Sequence, residues 1–242
     1  MVGAGLMLMA PSGMAVMAAR STSTTATTTA SQTAAQQQRL ATIKNRGCAE
    51  INRRLTQLNR LDSLINAATH ISASDKATLI GQVANEVSGL QQLEATLNSE
   101  TTLAAAIADA QNIILGYRVY ALVTPKVHII KVADDEQVTE TNLITLTTKL
   151  QDRITTAQSQ GKNVATLQSQ LNDLTTQAKN AQAISSTIEA SVIGLQPTDY
   201  NSNHAVLSGD AGQLQTAHID NQAALKDAKT MVTELRSLQP NS

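Results

Sequence analysis

Tyr117-Arg118-Val119-Tyr120 gathers two of the chain's three tyrosines around an arginine, and that grouping offers recognition chemistry. Rings three residues apart on a helix share a face, where Arg118 can stack on either. Tyr117, Arg118 and Tyr120 are therefore the partner-contact candidates, since Tyr and Arg concentrate in interface hot spots. The competing reading, which we favour, is a packing layer where the helix bends at Pro125, because bulky side chains beside a kink fill the gap it makes. On that reading Tyr120 is buried and Tyr120→Ala costs ~3 kcal/mol.

Asp199-x-Asn201-x-Asn203, with Val206 and Asp210 further on, has the spacing of a calcium loop. His204 stands where such a loop needs Gly for its turn, and a short Asp replaces the bidentate Glu. The favoured reading is helix capping after Pro197. Asp134-Asp135-Glu136 reads as a solvated helix end or loop, since three adjacent carboxylates on a helix cannot face one ion. His70, His128, His204 and His218 fall on four separate segments, so a zinc site would have to be assembled by the fold. Gly-x-Ser-x-Gly and Gly-x-x-x-x-Gly-Lys are absent, which speaks against common hydrolases and nucleotide enzymes. No catalytic set, cofactor site or metal site is expected, and the chain reads as non-catalytic.

Composition says what must position these residues. With no Phe or Trp, any core is aliphatic, and abundant Thr, Gln, Asn and Ser suit helices meeting along narrow seams with wide polar faces. Eleven Gly and four Pro permit long helices and supply too few turns for a β fold. Eighteen Lys and Arg balance nineteen Asp and Glu without a basic run, so the footprint of a nucleic-acid binder is missing. Cys48 is the lone cysteine; it cannot form an internal disulfide and reads as a small buried hydrophobe.

Residues 1–19 read as a signal peptide: Val2 to Ala19 is uncharged and apolar, with Pro11 and Gly13 inside it. The alternative is an uncleaved membrane anchor, the one route by which this chain would engage a membrane. Residues 20–38, almost wholly Ser, Thr, Ala and Gln, read as a flexible tether. From residue 39 to 240 a single all-α domain is expected, an elongated antiparallel bundle of about six helices.

The first stripe is Ile51, Leu55, Leu58, Leu61 and Ile65, ending near His70. Ser72, Ser74 and Asp75 provide cap chemistry for a second helix with Leu79, Val83, Val87, Leu90, Leu93 and Leu97 inward. A third, capped at Thr101 or Thr102, aligns Leu103, Ile107, Ala110, Ile114, Tyr117 and Ala121. Pro125 must stop or kink it. Lys126 to Ala133 then resumes as a short helix, with a strand as the alternative for so β-branched a run. Leu143, Leu146, Leu150, Ile154 and Ala157 form a fourth helix, stopped by Gly161. A fifth, capped by Asn163, carries Leu167, Leu171, Leu174, Ala178, Ala181, Ile184, Ile188, Val192 and Leu195, and Pro197 breaks it.

In the sixth helix Leu207, Leu214, Asn221, Ala228 and Leu235 repeat every seven residues, with Ala211, His218, Leu225 and Val232 as companion row. His218 and Asn221 then sit as a polar pair inside an apolar seam and fix its register, with His218 buried and neutral. On that placement His218→Leu raises the melting temperature.

Around Pro125 the chain resembles a group of exported long-helix proteins, of no assigned function, from ultrasmall, host-dependent bacteria of the candidate phyla radiation. Asp109-Ala110, Ile113, Tyr117 to Leu122, Pro125, Ile129-Ile130 and Ala133-Asp134 carry the resemblance, followed by the helix from Leu143. It implies export and long helices, and no activity. The resulting expectation is a secreted or envelope-located structural or interaction module with a protein partner or self-association. The alternative is an extracytoplasmic binder holding a hydrophobic peptide or lipid between helices.

Overall fold

The computed structural model describes the backbone of residues 15–238 and the side chains of residues 31–238. Within that range the 3.6-residue periodicity yields helices and no strand: α1 (Ala15–Ala67), α2 (Ala73–Ser99), α3 (Leu103–Leu115), a π-helical turn (Val119–Val123), α4 (Thr124–Ser159), α5 (Ala165–Val192), a short α6 (Pro197–Ser202) and α7 (Asp210–Ser237). The expected leader, residues 1–19, lies outside the described side chains.

The caps follow from local chemistry. Ser72 Oγ accepts the Asp75 amide at 3.1 Å, and Thr102 Oγ1 accepts that of Ala105 at 3.3 Å. Asn163 Oδ1 accepts from the Ala165 amide at 3.1 Å. Gly161, with φ +77°, closes α4 in the left-handed region that a side chain disfavours.

Short loops make α1 and α2 an antiparallel pair, with Lys44 Nζ donating to the Asn98 carbonyl at 3.0 Å at one end and Lys76 Nζ to the Ala68 carbonyl at 2.8 Å at the other. α3 lies against both. α4, α5 and α7 form a second, up-down-up bundle, registered by Gln151 with Gln168 and by Gln170 with Glu234. Each bundle has its own aliphatic core. α4 belongs to both: its first half packs with α1, α2, the end of α5 (Ile188, Val192) and Leu214 of α7, and its second half with the rest of α5 and α7. Its 36 residues span ~54 Å, longer than the ~46 Å diameter of a compact chain of this size.

A new helix does begin at Thr124-Pro125, while α3 stops earlier, at Leu115. Thr124 and Pro125 are the first residues of α4, and the π-turn before them lets the Val123 amide reach back to the Arg118 carbonyl at 3.3 Å. The wider turn accommodates the ring and the missing N–H. Leu103–Ser159 is thus helical apart from the turn at residues 116–118, where Arg118 is left-handed at φ +43°; Lys126 to Ala133 belongs to the long α4, and the separate short helix and the strand alternative both fall away. This run is also long and apolar enough, by length and composition, to cross a membrane, although 44% of its most apolar window is buried inside the protein.

Three other expectations change. Residues 20–38 are backbone helix, a continuation of α1, since Ala and Gln do not break a helix already nucleated behind them. The α3 stripe is rotated by one position: Ala106 and Ile113 are buried, while Ile107, Ile114 and Leu115 face solvent. The notch over Gly47 explains this, because it receives Ile113 and Leu97 together. In α7 the first row holds at Leu214, Asn221, Ala228 and Leu235, but its companions are Ala217, Ala224 and Met231. Small Ala side chains let the helices approach closely, and Leu225 is left exposed.

The notch gives a paired prediction. A Cβ on Gly47 would meet Leu97 Cδ2 at 2.4 Å, and Leu97 is fully buried, whereas one on Gly81 meets nothing within 4 Å. Gly81→Ala is expected to stabilise by ~0.5–1 kcal/mol through helix propensity. Gly47→Ala should destabilise by ~1–3 kcal/mol despite the same propensity gain. Denaturant melts of the two variants check both signs.

Candidate functional site

The acidic run at 134–136 lies in the middle of α4, where successive side chains point ~100° apart, so its three members enter three different environments. This corrects the expected solvated helix end. Asp135, the outermost, bonds His70 Nδ1 at 2.8 Å and Lys131 Nζ at 2.6 Å. Glu136 turns toward α7, where His218 Nδ1 lies at 2.8 Å and Asn221 Nδ2 donates at 2.7 Å. Asp134 points inward and is 4% exposed.

There Asp134 meets Asp75 from the first turn of α2 and Glu189 from the last turn of α5. One oxygen from each of the three carboxyls lies within 4.8 Å of the others. Ser72 Oγ donates to Asp75 Oδ2 at 2.6 Å, and the Gln137 amide donates to Glu189. Asp134 Oδ2 has no hydrogen-bond partner. Burial first, then the neighbouring Glu189 and Asp75 charges, push the Asp134 carboxyl up to about 7, against the pull of the Ser72 backbone amide. Glu189 is raised too, chiefly by burial, and it contacts the Asp75 carboxyl. The group sits where the α1–α2 hairpin meets the α4–α5–α7 bundle.

A second polar block lies 6 residues along the same helix. Glu140 is fully buried, accepting from Ser185 Oγ at 2.8 Å and from Asn221 Nδ2 at 3.3 Å. Burial raises its carboxyl above the ordinary range, with the Ser185 and Asn221 bonds opposing. Asn221 is therefore the seam residue its heptad position predicts, 1% exposed. His218 is not: its side chain is 46% exposed and paired with Glu136. The expectation of a buried, neutral His218 fails because it stands in the outer, exposed row. His218→Leu should now lower the melting temperature, through a loss of ~1 kcal/mol of stability, since it leaves Glu136, whose side chain is 12% exposed, with Asn221 as its one partner of the two. Thermal melts of the variant against the native chain check the sign.

A third block surrounds Lys126, 3% exposed, whose Nζ donates to Gln82 Oε1 at 2.6 Å and to the Leu195 carbonyl at 2.7 Å. Burial pulls this ammonium down to about 8, with Glu86 and Asp199 opposing. Glu86 is in turn pushed up to about 7 by burial, with Lys126 opposing. A lysine of lowered pKa suggests a nucleophile, but the bonds and burial of Lys126 make it a clamp between α2, α4 and the end of α5.

The Tyr-Arg motif divides. Tyr117 is half-buried over Gly89, where an added Cβ would meet its ring at 2.7 Å. Arg118, at φ +43°, bonds Asn201 Oδ1 through Nε at 2.6 Å and lies 5.2 Å from the Tyr200 ring centroid. Tyr120 is 49% exposed and lies against Arg54. The π-turn turns Val119, Leu122 and Val123 inward in its place, so Tyr120 is no packing anchor and Tyr120→Ala loses its expected large cost. The calcium-loop spacing also dissolves. Asp199 Oδ2 caps the Gln196 amide at 2.8 Å, Asn201 is engaged with Arg118 and the Leu115 carbonyl, Asn203 accepts from the Ala205 amide, and Asp210 opens α7. Cys48 is partly buried, with Sγ donating to Asn98 Oδ1 at 3.3 Å; burial raises its thiol pKa.

No family model, curated protein or solved structure matches this chain. Its chemistry must be read from its own geometry, and there the polar residues cluster at helix seams. Of the residues this requires, Asp75 is legible from sequence only as a cap, and Asp134 only as part of an acidic run. Glu189, Glu140, Ser185 and Lys126 were missed. Their signal is positional: Ser185 stands in phase with Ala178, Ala181 and Ile188, and Lys126 abuts Val127 and precedes Ile130 by four.

Proposed function

We propose that this chain is an exported structural or protein-interaction module of the cell envelope or surface, and that it performs no catalysis. The observation that carries the reading is the reach of α1. Asn98, one residue from the end of α2, is held by Lys44 and Cys48, and Leu40 is the last α1 residue packed on the core, so α1 runs on past the bundle from residue 39 back to Ala15. Residues 31–39 of that extension are all exposed. Polar helix of this kind serves as a stalk, holding the two bundles at a distance from whatever anchors or precedes it. The resemblance to exported long-helix proteins points the same way.

Small-angle scattering tests the reading. A stalked rod gives a radius of gyration well above the ~18 Å of a compact chain, and a value near that figure would sink it. Export is tested by mass spectrometry of protein from expressing cells, where an intact Met1 on the extracytoplasmic chain counts against cleavage.

One observation favours the second reading, a binder of a hydrophobic peptide or lipid. A groove of about 510 Å³ between α4 and α7 is lined by Ile129, Val132, Ala211 and Leu214, and Val132 is 41% exposed there. A binder should be stabilised by its ligand, so a thermal shift with phospholipid vesicles or apolar peptides would move the assignment to this groove.

A further inference from the structure

We propose that Asp75, Asp134 and Glu189 bind one hard divalent cation of the calcium class, which clamps the α1–α2 hairpin to the α4–α5–α7 bundle. The three residues come from three helices and from positions far apart in sequence. Their oxygens lie within 4.8 Å of one another, a separation that two oxygen–metal bonds of ~2.4 Å can span. The donors are all oxygen. With no thiol or imidazole in the group, the chemistry selects calcium or magnesium over zinc or copper.

A cluster of acids alone proves little, and a second observation points to a ligand. Asp134 is 96% removed from solvent and its Oδ2 makes no hydrogen bond, although buried polar atoms nearly always have a partner. Its neighbours on α4 show the contrast. Asp135 has His70 and Lys131, and Glu136 has His218 and Asn221, whereas no Lys, Arg or His among the described residues pairs with Asp75, Asp134 or Glu189. Three carboxyls within 4.8 Å of one another, two of them buried, require either shared protons or a cation. Calcium's longer bonds and flexible geometry suit ligands from three separate helices better than the strict octahedron of magnesium. Such a clamp does not depend on export or on the shape of the protein, so its failure leaves the structural reading untouched.

The test uses the full chain, stripped with EDTA and titrated calorimetrically with calcium chloride near neutral pH, with thermal melts in parallel. The expected result is one equivalent bound and a melting temperature raised by about 5–10 °C at a hundredfold excess over Kd. Asp134→Asn and Glu189→Gln should each weaken binding by about tenfold or more, while far-UV circular dichroism shows their helices intact. Asp152→Asn, a change at an exposed position of α4, should bind as the native chain does. Absence of binding heat together with an unchanged melting temperature would overturn the proposal and leave a proton-sharing cluster. Equal binding by the native chain and by both site variants would overturn it as well, by marking the ion as a surface association.

Discussion

Acidifying a metal-free solution from about pH 8 to about pH 5 is expected to raise the melting temperature of this protein by about 5 °C, the reverse of ordinary acid destabilisation. The cause lies in acids that are buried without full compensation. Asp134 and Glu86 are both pushed up to about 7, each by burial first, from ordinary values of 3.8 and 4.5. Between those limits the folded chain holds protons that the unfolded chain has released, so stability falls as pH rises through that window and is fully present below it. Complete burial would make each shift worth ~3–4 kcal/mol. Water reaching Glu86, and the partly exposed Glu189 beside Asp134, screens much of that, which leaves ~2 kcal/mol for Asp134 and Glu86 together. Lys126 works outside this window: its ammonium, pulled down to about 8, adds stability only as pH rises further toward its ordinary range. Asp134→Asn should flatten about half of the slope. A melting temperature that instead declines steadily from pH 8 to pH 5 would show both acids to be solvated.

The same acids mark the boundary of what the sequence discloses. Stripes of Leu and Ile announce α1, α2, α4 and α5, because each buries a face whose phase no other demand disturbs. In α3 the phase is set by Gly47 on another helix, and periodicity within α3 favours Ile107 and Ile114, which are exposed. Tyr120 is misplaced for a related reason: a π-turn adds a residue to one turn and rotates everything across it. The carboxyl cluster is less legible still. Asp75, Asp134 and Glu189 are brought together only by the meeting of two bundles, and no local spacing encodes that. What is local is the mismatch of a charged residue in a buried phase, as at Asp134 beside Ala133 and four residues after Ile130. Spacings that do look like chemistry, such as Asp199 to Asp210, are consumed by caps.

Glu140, Ser185 and Asn221 carry the other large effect. Asn221→Leu should destabilise the chain by ~2–3 kcal/mol, because it leaves Glu140 Oε1 with Ser185 alone and strips Glu136 Oε2, in a side chain only 12% exposed, of its donor. An apolar side chain of similar size gains some burial energy there, but less than the loss of these two charge-assisted hydrogen bonds costs. Replacing the whole block as Glu140→Leu, Ser185→Ala and Asn221→Leu reverses the outcome. With the fully buried members gone, only Glu136 loses a donor, and it keeps His218; the triple variant should therefore equal the native chain in stability, since burial already raises the Glu140 carboxyl above its ordinary range. The block would then serve alignment: Asn221 can reach Glu140 only when α7 is in register with α4, and Ser185 imposes the same condition on α5. Without it, a slip of one heptad exchanges Ala217 for Ala224 at no cost in shape, and only Met231 and Leu235 at the far end of the seam oppose it. Cysteine pairs placed across α4 and α7, one set in register and one offset by seven residues, read this directly. In the native chain only the in-register pair should cross-link, and in the triple variant both should. Exclusive in-register cross-linking of a stable triple variant would show that the aliphatic layers align the bundle unaided.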